Sequence, residues 1–210
     1  MTMKGLLLVL SGPSGVGKST IHNIFKEKNA DFKLSVSVTT RKPREGEQEG
    51  VNYYYRTKEE FDRLVREDAF LEHVCFSGNC YGTLKSEIDR ITSAGNNVVL
   101  DVEAVGALNI KKKYPEAVLV FILPPSYQVL CDRLCGRNSE SEEEVKARLA
   151  TFKEQVGYAD KYDYVVINED RDLCAEQVQK ILEAERCGER YDSLRVENNA
   201  KFISSLLLEV

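Results

Sequence analysis

Apolar and polar positions along this chain are sorted into blocks rather than scattered. Short unbroken apolar runs such as Leu6–Leu10 and Val118–Leu123 show no alternating polar face. They therefore predict strands buried on both sides, as in a parallel sheet covered by helices. In chain order the pattern predicts a strand Leu6–Leu10, a helix Lys18–Lys28, a strand Leu34–Val38, helices Lys58–Arg66 and Leu84–Ser93, a strand Asn97–Leu100 and a helix Ala107–Tyr114. A strand Val118–Leu123, helices Tyr127–Leu134 and Glu142–Tyr158, a strand Tyr164–Ile167 and a helix Leu173–Glu185 follow. This alternation predicts an α/β fold with a parallel central sheet whose carboxyl ends face the ligands. Between Ser37 and Lys85 the pattern breaks, and Gly46, Gly50 and the aromatic run Tyr53–Tyr55 point to an inserted β-rich lobe. Beyond Arg186 a polar stretch precedes Phe202–Leu208, expected as an extra helix packed on the body rather than on a partner subunit.

Composition narrows the class. A chain of 210 residues suits one α/β domain with an insert. Its residues are 42% hydrophobic and 30% charged, with no apolar segment long enough to span a bilayer. No cleavable leader is expected at Met1–Gly5, and a cytoplasmic setting follows from that. The net charge of −5 argues against broad nucleic-acid binding, so positive charge must act locally. Cys75, Cys80, Cys131, Cys135, Cys174 and Cys187 show no C-x-x-C spacing and are expected as free thiols. His73 near Cys75 and Cys80 lacks the second ligand pair a metal site would need. His22 is expected on the first helix, facing solvent, with no catalytic work.

The most specific signal is Gly12-Pro13-Ser14-Gly15-Val16-Gly17-Lys18-Ser19, directly followed by Thr20. It is a complete Walker A element between a predicted strand and a predicted helix. Its glycines let backbone N–H groups converge on phosphate oxygens, and the helix adds the positive end of its dipole. Lys18 brings a mobile charge to the outer phosphates, and Ser19 offers a hydroxyl to Mg²⁺.

Two further blocks stand in order behind it. One runs Ser37-Val-Thr-Thr-Arg41-Lys-Pro-Arg44-Glu-Gly, with Tyr53, Glu72 and Ser77-Gly-Asn-Cys-Tyr81-Gly-Thr83 after it. The other runs Asp132-Arg133-Leu-Cys-Gly-Arg137-Asn-Ser-Glu-Ser141, with Glu144 and Arg148 after it. With these blocks the chain resembles guanylate kinase, from Lys4 to about Glu185. The resemblance implies a P-loop three-layer fold with a parallel central sheet, an inserted β-rich nucleoside-monophosphate lobe and a helical lid. Within a single domain 1–210 it implies a core at 1–36 and 86–185, a GMP lobe at 37–85, a lid at about 133–148 and a tail at 186–210. The implied activity moves the γ-phosphoryl of ATP to GMP, and to dGMP, in purine nucleotide metabolism, with Mg²⁺ as cofactor. The implied partners are small-molecule substrates, without nucleic acid or membrane, in a monomer or homodimer.

Residue by residue, the resemblance assigns Arg41, Arg44, Tyr53 and Tyr81 to the acceptor phosphate, where guanidinium forks suit a dianion. Ser37, Glu72 and Thr83 fall at guanine-holding positions. A carboxylate at Glu72 accepts from guanine N–H donors that adenine does not present. Asp101 ends a strand near the phosphates and resembles an acid that orients Mg²⁺ directly or through water. Glu103 stands where the family usually has aspartate, so its longer side chain is expected to reach guanine by a shifted rotamer or a bridging water. Arg133, Arg137 and Arg148 match lid cations placed around the transferring group, and Ser141 with Glu144 has capping-box spacing. After Arg137, Asn138 and Ser139 replace the family's usual glycine and threonine. Asn168 matches a position near the adenine of ATP, where its amide can pair with the base edge. A binding module that has lost catalysis, or a kinase for another nucleoside monophosphate, would share the fold. The first would be expected to lose parts of the loop or lid, the second to differ at the base-holding residues.

Overall fold

The computed structural model describes residues 5–29, 32–33, 35–76, 78–136 and 142–209. The strand β1 (Leu7–Ser11) is buried throughout, and the helix α1 (Lys18–Lys28) follows the Walker segment. With β2 (Phe32–Lys33), β7 (Asn97–Asp101), β8 (Val118–Leu123) and β9 (Tyr164–Ile167) it builds a parallel sheet in the order β2-β7-β1-β8-β9. The register sets Leu10 beside Asp101 on one side and Ser11 beside Phe121 on the other. β1 thus lies between β7 and β8, where the chain crosses from one side of the sheet to the other, and the segment after Ser11 opens at the switch point where such sheets bind ligands.

Helices cover this sheet because its strands are apolar on both faces. All six residues of β8 are buried. Fully burying side chains of this size is worth about 1.5–3 kcal/mol each. The covering helices are α3 (Lys85–Ser93), α4 (Ala104–Lys113), α5 (Tyr127–Cys135) and α8 (Arg171–Arg186), with α1 packed on α8. Ser126 caps α5 by accepting from Val129 N, and Asp170 caps α8 by accepting from Asp172 N and Leu173 N.

A second sheet lies within residues 38–84, ordered β4-β3-β6-β5 from β3 (Val38–Thr39), β4 (Tyr54–Tyr55), β5 (Phe70–Phe76) and β6 (Asn79–Leu84). Helix α2 (Lys58–Arg66) opens on a reciprocal capping box between Thr57 and Glu60. It covers this sheet with Phe61, which stacks on Phe70 at 4.6 Å, in a small core with Val38 and Cys80.

Three expectations need correction. Of the strand read at Leu34–Val38, Val38 belongs to β3 of the second sheet and residues 35–37 to no strand, while β2 of the central sheet precedes them and Leu34 lies outside the described residues. The long helix Glu142–Tyr158 is two helices, α6 (Glu142–Ala150) and α7 (Phe152–Val156). Thr151 separates them, its hydroxyl donating back to Arg148 O at 2.9 Å, the local competition that makes threonine a poor interior helix residue. Cys75 and Cys80 are not free thiols but a disulfide, because the β5–β6 register sets them directly opposite each other. That pairing also removes both sulfurs from any metal site with His73. Cys131, Cys135, Cys174 and Cys187 are free.

His22 is half-buried with Nε2 sealed from solvent, since its helix is sandwiched between sheet and α8. The last helix, α9 (Ala200–Leu208), buries Ile203 and Leu206 and packs against α7 and the turn Ala159–Lys161. Glu209 accepts from Tyr127 N at 2.7 Å, which ties the tail to the start of α5. Among the described residues no helix is long and apolar enough to cross a membrane.

Candidate active site

The Walker segment leaves β1 through backbone conformations that only glycine adopts easily. Gly12 has φ +153°, and a Cβ there would lie 2.3 Å from Ile122 O of β8. Gly17 has φ +102°, and its Cβ would meet Asn168 Nδ2 at 2.8 Å. The loop is thus wedged between the ends of β8 and β9. Lys18 Nζ donates to Gly12 O at 2.8 Å and to Pro13 O at 3.4 Å, which draws the ammonium across the loop.

Ser19 Oγ donates to Asp101 Oδ2 at 3.0 Å. The hydroxyl opens α1 and the carboxylate ends β7, so sheet topology brings together groups 82 residues apart. An alcohol and a carboxylate oxygen at hydrogen-bonding distance form a hard donor pair that fits Mg²⁺, a cation that keeps water and phosphate as its other ligands.

Helical elements close over the loop from the other side. Arg133 of α5 donates to Asn168 O at 2.8 Å and approaches Val16 O at 3.5 Å. Arg148 of α6 donates to Ser14 Oγ at 3.4 Å, and Gln155 of α7 accepts from Ser14 N at 3.0 Å. Gln155 escaped sequence reading, because an isolated glutamine in an amphipathic helix gives no local signal. Arg137, Asn138, Ser139 and Ser141 lie outside the described residues. Asn168 is 5% exposed, and its Nδ2 donates to Val16 O at 2.7 Å. The amide nitrogen is therefore spent on the loop. Its Oδ1 is a buried acceptor without a hydrogen-bond donor among the described residues, which is uncommon in native folds and leaves an acceptor that a ligand donor could use.

In the second sheet, Glu72 and Thr83 pair across β5 and β6, and Thr83 Oγ1 donates to Glu72 Oε1 at 2.8 Å. Thr83 itself is only 3% exposed. Tyr53 and Tyr81 meet edge to face at 6.0 Å, and the Arg41 guanidinium lies over the Tyr53 ring at 5.5 Å. Arg44 is exposed and its side chain makes no hydrogen bond or ion pair among the described residues. Glu47, absent from the sequence expectations, accepts from Arg41 Nη2 with both oxygens, at 2.8 and 2.9 Å. Its carboxyl is held down at about 2, first by the Arg41 side chain and then by Arg44 N, with Tyr55 adding to them. The same pairing raises Arg41 further above its ordinary value.

Three cavities join the Walker loop to Ser37, Glu72 and Tyr81, whereas Arg41, Arg44, Tyr53 and Thr83 line none of the three. A cavity of about 420 Å³ is lined by Val16, Arg133 and Asn168 among others, and shares Gly15, Gly17 and Thr20 with the next. That second cavity, about 290 Å³, holds Ser14, Lys18, Ser19 and Arg148 at the loop itself. It shares Asp101 and Glu103 with a third of about 680 Å³, lined by Ser37, Glu72 and Tyr81. Glu103, at the start of α4, thus stands at the junction of the loop cavity and the large one, rather than inside the latter alone.

A model of the family described as guanylate kinase matches residues 4–185. The chain is 48% identical over 184 residues to a guanylate kinase of Caldanaerobacter subterraneus, covering 88% of this chain and 89% of that one. To a guanylate kinase of Bacillus cereus it is 43% identical over 185 residues, covering 88% and 90%. The crystal structure of guanylate kinase from Anaplasma phagocytophilum superposes with a TM-score of 0.65 at 33% identity, covering 88% of each chain.

Proposed function

The chain belongs to the guanylate kinase family and phosphorylates GMP to GDP at the expense of ATP, and we propose that the three joined cavities are where it does so. The observation that carries the assignment is their continuity: one track runs from Asn168, past the Walker loop, to the Glu72–Thr83 pair. ATP lies with its base beside Arg133 and Asn168 and its phosphates on Gly12–Thr20. GMP lies with guanine against Ser37 and Glu72 and its phosphate between Arg41, Arg44, Tyr53 and Tyr81.

Glu72 gains its selectivity from Thr83. With one oxygen held by the threonine hydroxyl, the carboxylate is oriented before guanine arrives, and its other lone pairs accept the two guanine N–H donors. Adenine presents no such pair and would leave the charge unmatched.

Chemistry then needs alignment and charge rather than a nucleophile on the enzyme. An oxygen of the GMP phosphate bonds to the γ-phosphorus while the bond to the β,γ-bridging oxygen breaks, and that electron pair leaves with ADP. Lys18, Arg133, Arg137 and Arg148 supply positive charge around the group in flight, and the backbone N–H groups of the loop hold the outer oxygens. Helices α5, α6 and α7 already touch the loop through Arg133, Arg148 and Gln155, so they exclude water that would otherwise hydrolyse ATP. Ser19 and Asp101 would hold Mg²⁺, Asp101 directly or through water, and the ion when bound neutralises charge on the β- and γ-phosphates. Asn168 and Arg133 brace the loop at Val16 as well as bordering the adenine side. The proposed setting is the cytoplasm, and dGMP is proposed as a second acceptor.

The test measures ADP formation with GMP, AMP, CMP and UMP side by side. GMP should be turned over far faster than the others, and Lys18→Met should abolish turnover. Equal rates with AMP would overturn the role given to Glu72.

A further inference from the structure

Glu47 lies outside every role assigned so far, yet four hydrogen bonds from three donor groups converge on it. Oε1 accepts from Arg41 Nη2 at 2.8 Å. Oε2 accepts from Arg41 Nη2 at 2.9 Å, from the backbone N–H of Arg44 at 2.7 Å and from Tyr55 Oη at 2.8 Å. One carboxylate thus grips the side chain of one acceptor-phosphate arginine and the backbone of the other. The loop that presents it is itself tied down: Gln48 N donates to Asn52 Oδ1, Gly50 N to Tyr53 O, and Glu49 pairs with Arg56 at 2.7 Å.

We infer that Glu47 is a positioning residue for the acceptor phosphate, holding the Arg41 fork and the Arg44 backbone in the arrangement that receives GMP. The inference deepens the proposed acceptor site and rests on it. Its logic is one of preorganisation. An arginine side chain loses rotamer entropy when it is fixed on a ligand, worth about thirtyfold in affinity if it must be fixed at binding. Here Glu47 and the Tyr53 ring fix Arg41 in advance. Of the five guanidinium protons of Arg41, the Nη2 group serves Glu47 and one Nη1 proton serves Lys42 O at 2.8 Å. Nε–H and the second Nη1 proton stay open for phosphate, as does the whole Arg44 side chain. A carboxylate beside an anion site costs repulsion, but two arginines leave the pocket with net positive charge, and two of the carboxylate's four hydrogen bonds come from the charged Arg41 guanidinium.

The donor count also says why a carboxylate is required. An amide at this position would turn an NH₂ group toward at least one of these three donors, whichever way it is flipped. The experiment compares wild type, Glu47→Gln, Glu47→Asp and Tyr55→Phe by calorimetry with GMP, without ATP, and by steady-state kinetics in both substrates. Glu47→Gln should weaken GMP binding and raise its KM about 10- to 100-fold, leaving the KM for ATP within about twofold. Glu47→Asp should recover part of the loss, and Tyr55→Phe, which keeps the charge and removes one donor, should lose only a few-fold. If Glu47→Gln does not fold, as judged by thermal melting, the Tyr55→Phe and Glu47→Asp pair decides by the same criterion. Unchanged or tighter GMP binding in the variants overturns the inference, as does an equal rise in both KM values, which would mean a purely structural role. Failure of wild type itself to bind GMP would instead sink the acceptor-site assignment.

Discussion

Replacing Gly12 by alanine tests whether the Walker loop is held by close approach to the sheet as well as by its own dihedral angles. Gly12 sits at φ +153°, in a region that other residues enter at a cost of about 1–3 kcal/mol. Its added Cβ would lie 2.3 Å from Ile122 O. That carbonyl belongs to a strand buried along its whole length, so it cannot swing aside as a flexible side chain would. Displacing it should cost about 1–3 kcal/mol more, the usual scale of overpacking. Gly12→Ala is therefore expected to destabilise the protein by about 2–6 kcal/mol. Gly188 provides the control. It has φ +72° just past α8, and a Cβ there would meet nothing within 4 Å, so Gly188→Ala should cost only about 1–2 kcal/mol. Urea unfolding at equilibrium measures both, with unchanged slopes and shifted midpoints. The KM for ATP should rise in Gly12→Ala alone. If the two variants differ in stability by less than about 0.5 kcal/mol, the scatter of ordinary surface substitutions, the loop is not braced against β8 and the argument fails.

Three other outcomes are expected. Glu72→Gln removes the charge that Thr83 orients, and a hydrogen bond to a charged group is worth about 1.5–3 kcal/mol, so kcat/KM for GMP should fall about 10- to 150-fold while the weak AMP activity changes little; an unchanged GMP to AMP ratio would remove Glu72 from base recognition. Asp68 is held down at about 2 by Lys85 first and then by Lys113, so its contribution to stability is complete above the ordinary carboxylate value of 3.8 and is lost as pH falls through the folded value. Asp68 has φ +50°, which asparagine tolerates, so Asp68→Asn tests charge alone: its melting temperature should fall less steeply than that of wild type between about pH 4 and 2, and parallel curves would show that the lysines contribute nothing. Thiol titration in denaturant should count four groups before treatment with a dithiol reductant and six after it, because only Cys75 and Cys80 are paired; in the native protein the exposed Cys135 and Cys187 should react first and Cys174, whose pKa burial pushes up to about 12, last. Six thiols before reduction would contradict the pairing.

Local sequence determined those parts of this protein whose causes are local. The helix Lys58–Arg66 begins and ends where its capping box and apolar spacing require, and β8 follows from six consecutive apolar residues. The Walker loop was legible because its glycines, Lys18 and Ser19 are contiguous, so the phosphate site is written within eight positions. Tertiary structure decided what depends on register and on partners far along the chain. Ser19 meets Asp101 only because β1 and β7 are neighbours, and Cys75 faces Cys80 only because β5 and β6 pair in that register. Asn168 braces Val16 through Nδ2 across 152 positions, a contact that nothing near it in the sequence signals. Glu47 gave no periodic signal at all, since a loop carboxylate looks the same whether it is solvated or gripped by three donors. The physical reason is common to these cases: apolar period and capping act over a few residues, whereas a hydrogen bond across the fold depends on the summed geometry of every element between its two ends.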